Sequence, residues 1–158
     1  MMRRSGGTTP PPWFWEGNIQ ATVIERLVAV GWTVIRQANT ATREPGKDIE
    51  LQREDVTLWV TVKGFPNGTP RTHPNTQARH WFTAAIFDVI LWREADQDTR
   101  IAVALPAMPT YRRQATRTTW FQRTADFSYL WVDEIALVSE ECGTDAMSSL
   151  LEPTASGR

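Results

Sequence analysis

The stretch Gly46-Lys47-Asp48-Ile49-Glu50-Leu51-Gln52, followed after a short turn by Thr57-Leu58-Trp59-Val60-Thr61-Val62-Lys63-Gly64, decides how this chain is read. Both segments alternate polar and apolar side chains, the period of a half-buried strand. Arg53-Glu54-Asp55-Val56 between them reads as a turn, so the two segments form a hairpin. On the first strand Asp48, Glu50 and Gln52 share a face. On the second, Trp59, Thr61 and Lys63 share one face, and Leu58, Val60 and Val62 share the other. Asp48 opens one strand and Lys63 closes the next, fifteen positions later, which puts a carboxylate and an ammonium at the same edge of a sheet. The carbonyl of Val62, between Thr61 and Lys63, is a further oxygen at that edge.

Outward from the hairpin, Ile19, Val23, Ile24, Leu27, Val28 and Val30 recur near helical spacing from about Trp15 to Val30. Gly31 stands where a helix ends, and Trp32 to Ala38 reads as a strand. Asn39 to Lys47 is a loop. Downstream, Gly64 to Asn75 is a positively charged loop rich in Pro and Gly, and Thr76 is placed to cap a helix from Gln77 to about Trp92. That helix is apolar nearly all round, which predicts burial. Ile101 to Leu105 reads as a strand ended by Pro106, and Thr110 to Gln122 as a surface helix or a basic loop. Tyr129 to Val132 and Ile135 to Val138 read as the last strands. The expected fold is α/β, a central mixed sheet flanked by helices in the order α-β-β-β-α-β-α-β. Residues 13–138 form one domain in this reading, residues 1–12 a disordered proline-rich tail, and residues 139–158 a polar, disordered tail.

Composition narrows the function classes. A chain of 158 residues with 41% hydrophobic and 22% charged residues suits a single globular domain. The formal net charge of -1 provides no global field for nucleic acid, so any such binding needs a local patch. The one cysteine, Cys142, and the two histidines, His73 and His80, are too few for a disulfide framework or a His/Cys metal cage. The start Met1-Met2-Arg3-Arg4-Ser5 has no apolar stretch after it, and so does not read as a secretory leader. The longest apolar run, Trp81 to Trp92, is far shorter than the ~20 residues of a membrane helix. A cytoplasmic protein with no membrane partner is expected.

Metal-assisted phosphodiester hydrolysis needs carboxylates to hold Mg²⁺ and a positive group near the scissile phosphate. Asp48 and Lys63 supply one of each. With the helix before them and Gly31-Trp32-Thr33-Val34, their arrangement resembles the PD-(D/E)XK restriction-endonuclease-like superfamily, closest to its Mrr-like and Holliday-junction-resolvase-like branches. The resemblance covers approximately residues 16 to 105. It implies a restriction-endonuclease-like fold, Asp48 as metal ligand and Lys63 as catalytic lysine. It also implies an acidic residue or Gln where Thr61 stands, and a metal-associated Glu where Gln20 stands. Two carboxylates of the pattern are therefore missing. Glu50, on the face of Asp48, and Glu16, one helical turn before Gln20, are the replacements in reach. Gln77-Ala78-Arg79-His80-Trp81 is similar to the Gln-x-x-x-Tyr motif of RecB-type nucleases, with Trp for Tyr, and gives Gln77 a role in orienting water or phosphate.

The expected protein is thus a nuclease dependent on Mg²⁺ or Mn²⁺ and acting on DNA, in restriction, defence or repair. Asp48, Lys63 and Gln77 are its catalytic residues, and Asp48, Glu50, Glu16 and the Val62 carbonyl hold the metal. Gln20 and Thr61 are further cleft residues. Arg71, His73, Arg79 and His80 either contact phosphates or form a solvated basic surface at the helix start. Trp59, on the face of Lys63, is a candidate for stacking on a base or ribose. The alternative is a catalytically silent member of that fold, serving as a nucleic-acid-binding or protein-interaction module. A structural subunit in a larger complex is a third class, and a homodimer or an accessory partner is compatible with all three.

Overall fold

A computed structural model of the chain describes residues 7–38, 47–145 and 148–154. The expected loop from Asn39 and the expected tails fall partly outside these residues. One mixed sheet of six strands forms the centre, its strands ordered as they occur in the chain. They are β1 (Thr33–Gln37), β2 (Ile49–Arg53), β3 (Val56–Val62), β4 (Arg100–Pro106), β5 (Ser128–Val132) and β6 (Val138–Glu141). The first three pair antiparallel, β4 lies parallel to β3 and β5 parallel to β4, and β6 closes the sheet antiparallel. The expected hairpin is β2–β3, with Glu50 opposite Trp59 and Leu51 opposite Leu58.

Helices cover both faces. On one, Ile19, Val23 and Leu27 of α1 (Glu16–Ala29) pack on Ile49, Leu51, Leu58, Val60 and Val62 of the hairpin and on Ala102 and Ala104. On the other, Ala78, Phe82, Ala85 and Val89 of α2 (Pro74–Ala95) meet Ile101, Val103 and Leu105. Two short helices, α3 (Pro109–Arg117) and α4 (Thr119–Ala125), lie on that second face, where Tyr111, Ala115 and Ala125 join the same core. Successive residues of β4 thus enter opposite cores, and its near-continuous apolar run follows from burial on both faces. Gly31 ends α1 with φ of 101°, a left-handed conformation that favours glycine, and Trp32 N–H reaches back to the Leu27 carbonyl at 3.1 Å.

Several expectations are corrected. The helix after the lysine strand starts at Pro74, not Gln77, and its cap is His73, whose ring accepts from Asn75 N–H, not Thr76. Proline suits that first helical position because the N–H it lacks has no helical partner there. The same helix is not buried all round: Phe87, Ile90 and Leu91 are 56%, 45% and 52% exposed. Between β4 and β5 two helices stand where one helix or a basic loop was expected. The last strand is Val138–Glu141, because residues Asp133 to Leu137 are drawn into a turn around the Asp133 carboxylate, which accepts from Ile135 and Leu137 N–H.

The domain also continues past Val138. Leu150 and Leu151 are buried in the α1-side core. Trp32 Nε1 donates to the Leu150 carbonyl at 2.9 Å, Arg53 Nη1 donates to the Glu152 carbonyl at 2.7 Å, and the Glu140 carboxylate accepts from Leu150 N–H at 2.9 Å and from Ser149 Oγ at 2.6 Å. Two leucines and these polar contacts dock a segment whose composition is otherwise polar. No helix among the described residues is long and apolar enough to cross a membrane. Because Leu150 has no exposed surface, Leu150→Ala is expected to destabilise the fold by about 2–4 kcal/mol in urea unfolding. An unchanged midpoint would show the segment to be dispensable.

Candidate active site

The end of β3 gathers several polar groups. Asp48, just before β2, turns its carboxylate onto β3, where Oδ2 accepts Val62 N–H at 2.6 Å. Backbone N–H and C=O of one strand residue point to the same side, so the Val62 carbonyl also leaves β3 on the edge facing Asp48. Thr61 is fully buried, and its hydroxyl lies 2.8 Å from Asp88 Oδ2 and 3.4 Å from Asp48 Oδ2. A hydroxyl has one hydrogen to donate, and the shorter contact directs it to Asp88. Two carboxylates, from the hairpin and from α2, are thereby brought to either side of one threonine. Among the described residues neither Asp48 Oδ1 nor Asp88 Oδ1 has a hydrogen-bond partner.

Burial raises the Asp48 pKa above its ordinary 3.8, and the Asp88 charge adds to that; Val62 N–H and Lys63 pull the other way. The carboxyl therefore sits where ionisation is costly and where a cation would offset the cost.

Asp88 was not among the residues expected to act, yet the pattern that places it is simple. It lies eleven positions after Gln77 in α2, three helical turns, on the face of Gln77, Trp81 and Ala84. This face runs over β3 in register. Trp92 meets Trp59 edge-on at 6.2 Å, Asp88 meets Thr61, and Ala84 and Trp81 line a cavity of about 130 Å³ with Lys63. Four helical residues rise about 6 Å and two strand residues about 6.6 Å, so the two repeats stay matched over this length.

Glu16 lines the same cavity as Lys63. It arrives there because the chain before α1 passes close to the end of β3: Phe65 N–H donates to the Phe14 carbonyl at 2.9 Å. A Cβ at Gly64 would lie 2.5 Å from Glu16 N and 2.7 Å from the Phe14 carbonyl oxygen. Glycine at 64 is what lets the two segments meet.

The other expected residues separate. Gln20 is buried, and its Nε2 donates to the Ala38 carbonyl at 3.1 Å while Oε1 has no partner among the described residues. Ala38 N–H in turn donates to the Asp48 carbonyl at 2.8 Å, so Gln20 is tied to Asp48 through the Ala38 backbone. Glu50 stands opposite Trp59, two positions further from Lys63, and has no hydrogen bond to Asp48 or Asp88. The half-buried Trp59 ring meets Trp92 in a T-shaped contact at 6.2 Å, and Lys47 Nζ lies 4.0 Å from its centroid. His73 and Arg79 line a second cavity between α2 and α3, which Arg71 and His80, both exposed, do not line.

No family model, curated protein or solved structure matches this chain. Among the described residues no three His, Cys, Asp or Glu side chains form a group that would hold a metal ion. The carboxylate seen to share a hydroxyl with Asp48 is that of Asp88, a residue outside the expected ligand set of Glu50 and Glu16. The donor set still suits a hard divalent cation: two carboxylates, each with one oxygen that has no hydrogen-bond partner among the described residues, and a strand-end carbonyl on the same edge.

An acid whose pKa is raised by folding keeps its proton to higher pH in the folded state. The stability it supports is full below about 3.8 and declines as pH rises through the folded pKa. Asp48→Asn, which retains an acceptor for Val62 N–H, is expected to raise the melting temperature at neutral pH in EDTA. The difference from wild type should close towards pH 4. A lower melting temperature at neutral pH would show that the ionised carboxylate is stabilising.

Proposed function

We propose that this protein is a nuclease dependent on Mg²⁺ or Mn²⁺ that hydrolyses phosphodiester bonds in DNA, built on a restriction-endonuclease-like fold. The observation that carries the reading is the pairing of Asp48 with Asp88 across Thr61, directly before Lys63. The chain order α1-β1-β2-β3-α2-β4, with an antiparallel hairpin and a parallel β3–β4 pair, supports the fold assignment. In this reading the carboxylate lacking at position 61 is supplied from α2, and Thr61 holds it in place.

Asp48 and Asp88 hold the metal, with the Val62 carbonyl as a further oxygen. The cation, when bound, lowers the pKa of a bound water and neutralises charge developing on the phosphate. Lys63 places an ammonium beside the scissile phosphate, with Glu16 across the same cavity. Gln77 lies on the α2 face of Trp81 and Asp88, where its amide orients water or phosphate beyond the strand end. Thr61 is a positioning residue, fixing the Asp88 carboxylate through its hydroxyl.

The convergence of two carboxylates among the described residues, where the expected pattern has more, favours a second reading, a nucleic-acid-binding module without catalysis. Purified protein incubated with plasmid and linear DNA in Mg²⁺ or Mn²⁺ separates them. Cleavage is expected, and Lys63→Ala should lower its rate by roughly 100-fold or more. Thr61→Val should cost about 10–100-fold while Thr61→Ser retains most activity, since serine keeps the hydroxyl. Salt-sensitive DNA binding without metal-dependent cleavage would establish the binding module instead.

A further inference from the structure

The cavity between the start of α2 and α3 has a volume of about 300 Å³ and is distinct from the one lined by Glu16 and Lys63. Its walls include His73, Asn75 and Arg79 on the α2 side and Thr110, Arg113 and Arg117 on α3, and among the described residues no Asp or Glu lines it. Three guanidinium groups thus surround one space in a chain of formal net charge -1. Arg113 and Arg117 are four apart on α3, a like-charge spacing that disfavours the helix unless an anion is shared. Among the described residues none of the three arginines pairs with a carboxylate; the arginine of α3 that does is Arg112, 3.9 Å from Glu141.

The neutral wall groups are also set as donors. His73 Nδ1 accepts Asn75 N–H at 3.1 Å, which leaves the ring hydrogen on Nε2. Thr110 Oγ1 donates to Asn75 Oδ1 at 2.8 Å, which leaves the Asn75 amide hydrogens free to donate. The walls are fixed to one another by this bond and to the end of β3 by Tyr111 Oη, which donates to the Gly64 carbonyl at 2.6 Å. A concave site with forked donors and, among the described residues, no competing carboxylate matches a tetrahedral oxyanion.

We propose that this cavity binds a phosphate monoester, with Arg79, Arg113 and Arg117 on the phosphate oxygens and His73 Nε2–H as an additional donor. The monoester dianion suits three clustered positive charges better than the single charge of a backbone diester. The phosphate has two possible sources, the terminal phosphate of a nucleic-acid strand and a free nucleotide, and one experiment distinguishes them. Full-length protein in EDTA is titrated with inorganic phosphate, with a nucleoside 5′-monophosphate, and with an oligonucleotide bearing either a 5′-phosphate or a 5′-hydroxyl.

Binding of at least one phosphate probe is expected, weakened roughly tenfold or more in Arg113→Ala/Arg117→Ala and in Arg79→Ala. Arg123→Ala, on α4 and outside the cavity, should leave it unchanged. A preference for the 5′-phosphorylated strand identifies a strand end as the source, and binding of the mononucleotide without that preference identifies a free nucleotide. No binding by any probe, or equal binding by these variants and wild type, overturns the proposal. Binding in EDTA needs no cleavage, and Asp48→Asn should retain it, so failure of the nuclease reading and failure of this site are seen separately.

Discussion

The carboxylate of Asp48, drawn out of water onto the end of β3, is the constraint around which the rest of this structure is arranged. Its one short bond to Val62 N–H occupies a backbone donor that the hairpin leaves free at its end. Its burial makes ionisation unfavourable. Asp88, joined through the Thr61 hydroxyl, makes it more so. A fold that only needed a stable sheet end would gain from an apolar residue at 48, because a partly buried carboxylate set beside a second one is costly. Two carboxylates held this way, with the ammonium of Lys63 following in the chain, are better explained by chemistry than by stability.

The scaffold makes the arrangement possible through matched repeats. The helix α2 and the strand β3 are adjacent over the pairs Trp92–Trp59 and Asp88–Thr61, and then around the cavity of Lys63. Below that line the interface is aromatic; above it, at the strand end, it is charged. The transition occurs where β3 ends and Gly64 lets the chain before α1 close over it, bringing Glu16 to Lys63. The α1 face of the same strands carries Leu58, Val60 and Val62 into an apolar core, so the strands that display the site are anchored from behind.

Much of this was legible in the sequence, for physical reasons that differ from residue to residue. The hairpin, with Asp48 beside the end of β3, follows from the two-residue alternation on both strands, which leaves little choice of face. Gln20 and Thr61 were readable as cleft residues but not as bonded ones, because hydrogen-bond partners such as Ala38 and Asp88 are set by tertiary packing. Asp88 was hidden inside an apolar run that reads as a buried helix; its signal, eleven residues from Gln77, appears only once that helix has a defined face. The docking of Leu150 and Leu151 was illegible because two leucines in a polar stretch carry no period. What holds that stretch is a set of side-chain bonds from Trp32, Arg53 and Glu140 to its backbone. The exposed Phe87, Ile90 and Leu91 show the converse, since apolar composition alone does not place a residue in the core.

The central claim is that Asp48 and Asp88 form one cation site. Titration of Mn²⁺ into the protein, followed by the loss of the free Mn²⁺ electron paramagnetic resonance signal, addresses it without reference to any substrate. One bound ion per chain is expected in the wild type, with affinity falling roughly tenfold or more in Asp88→Asn. No binding, or binding that Asp88→Asn leaves unchanged, would contradict the account.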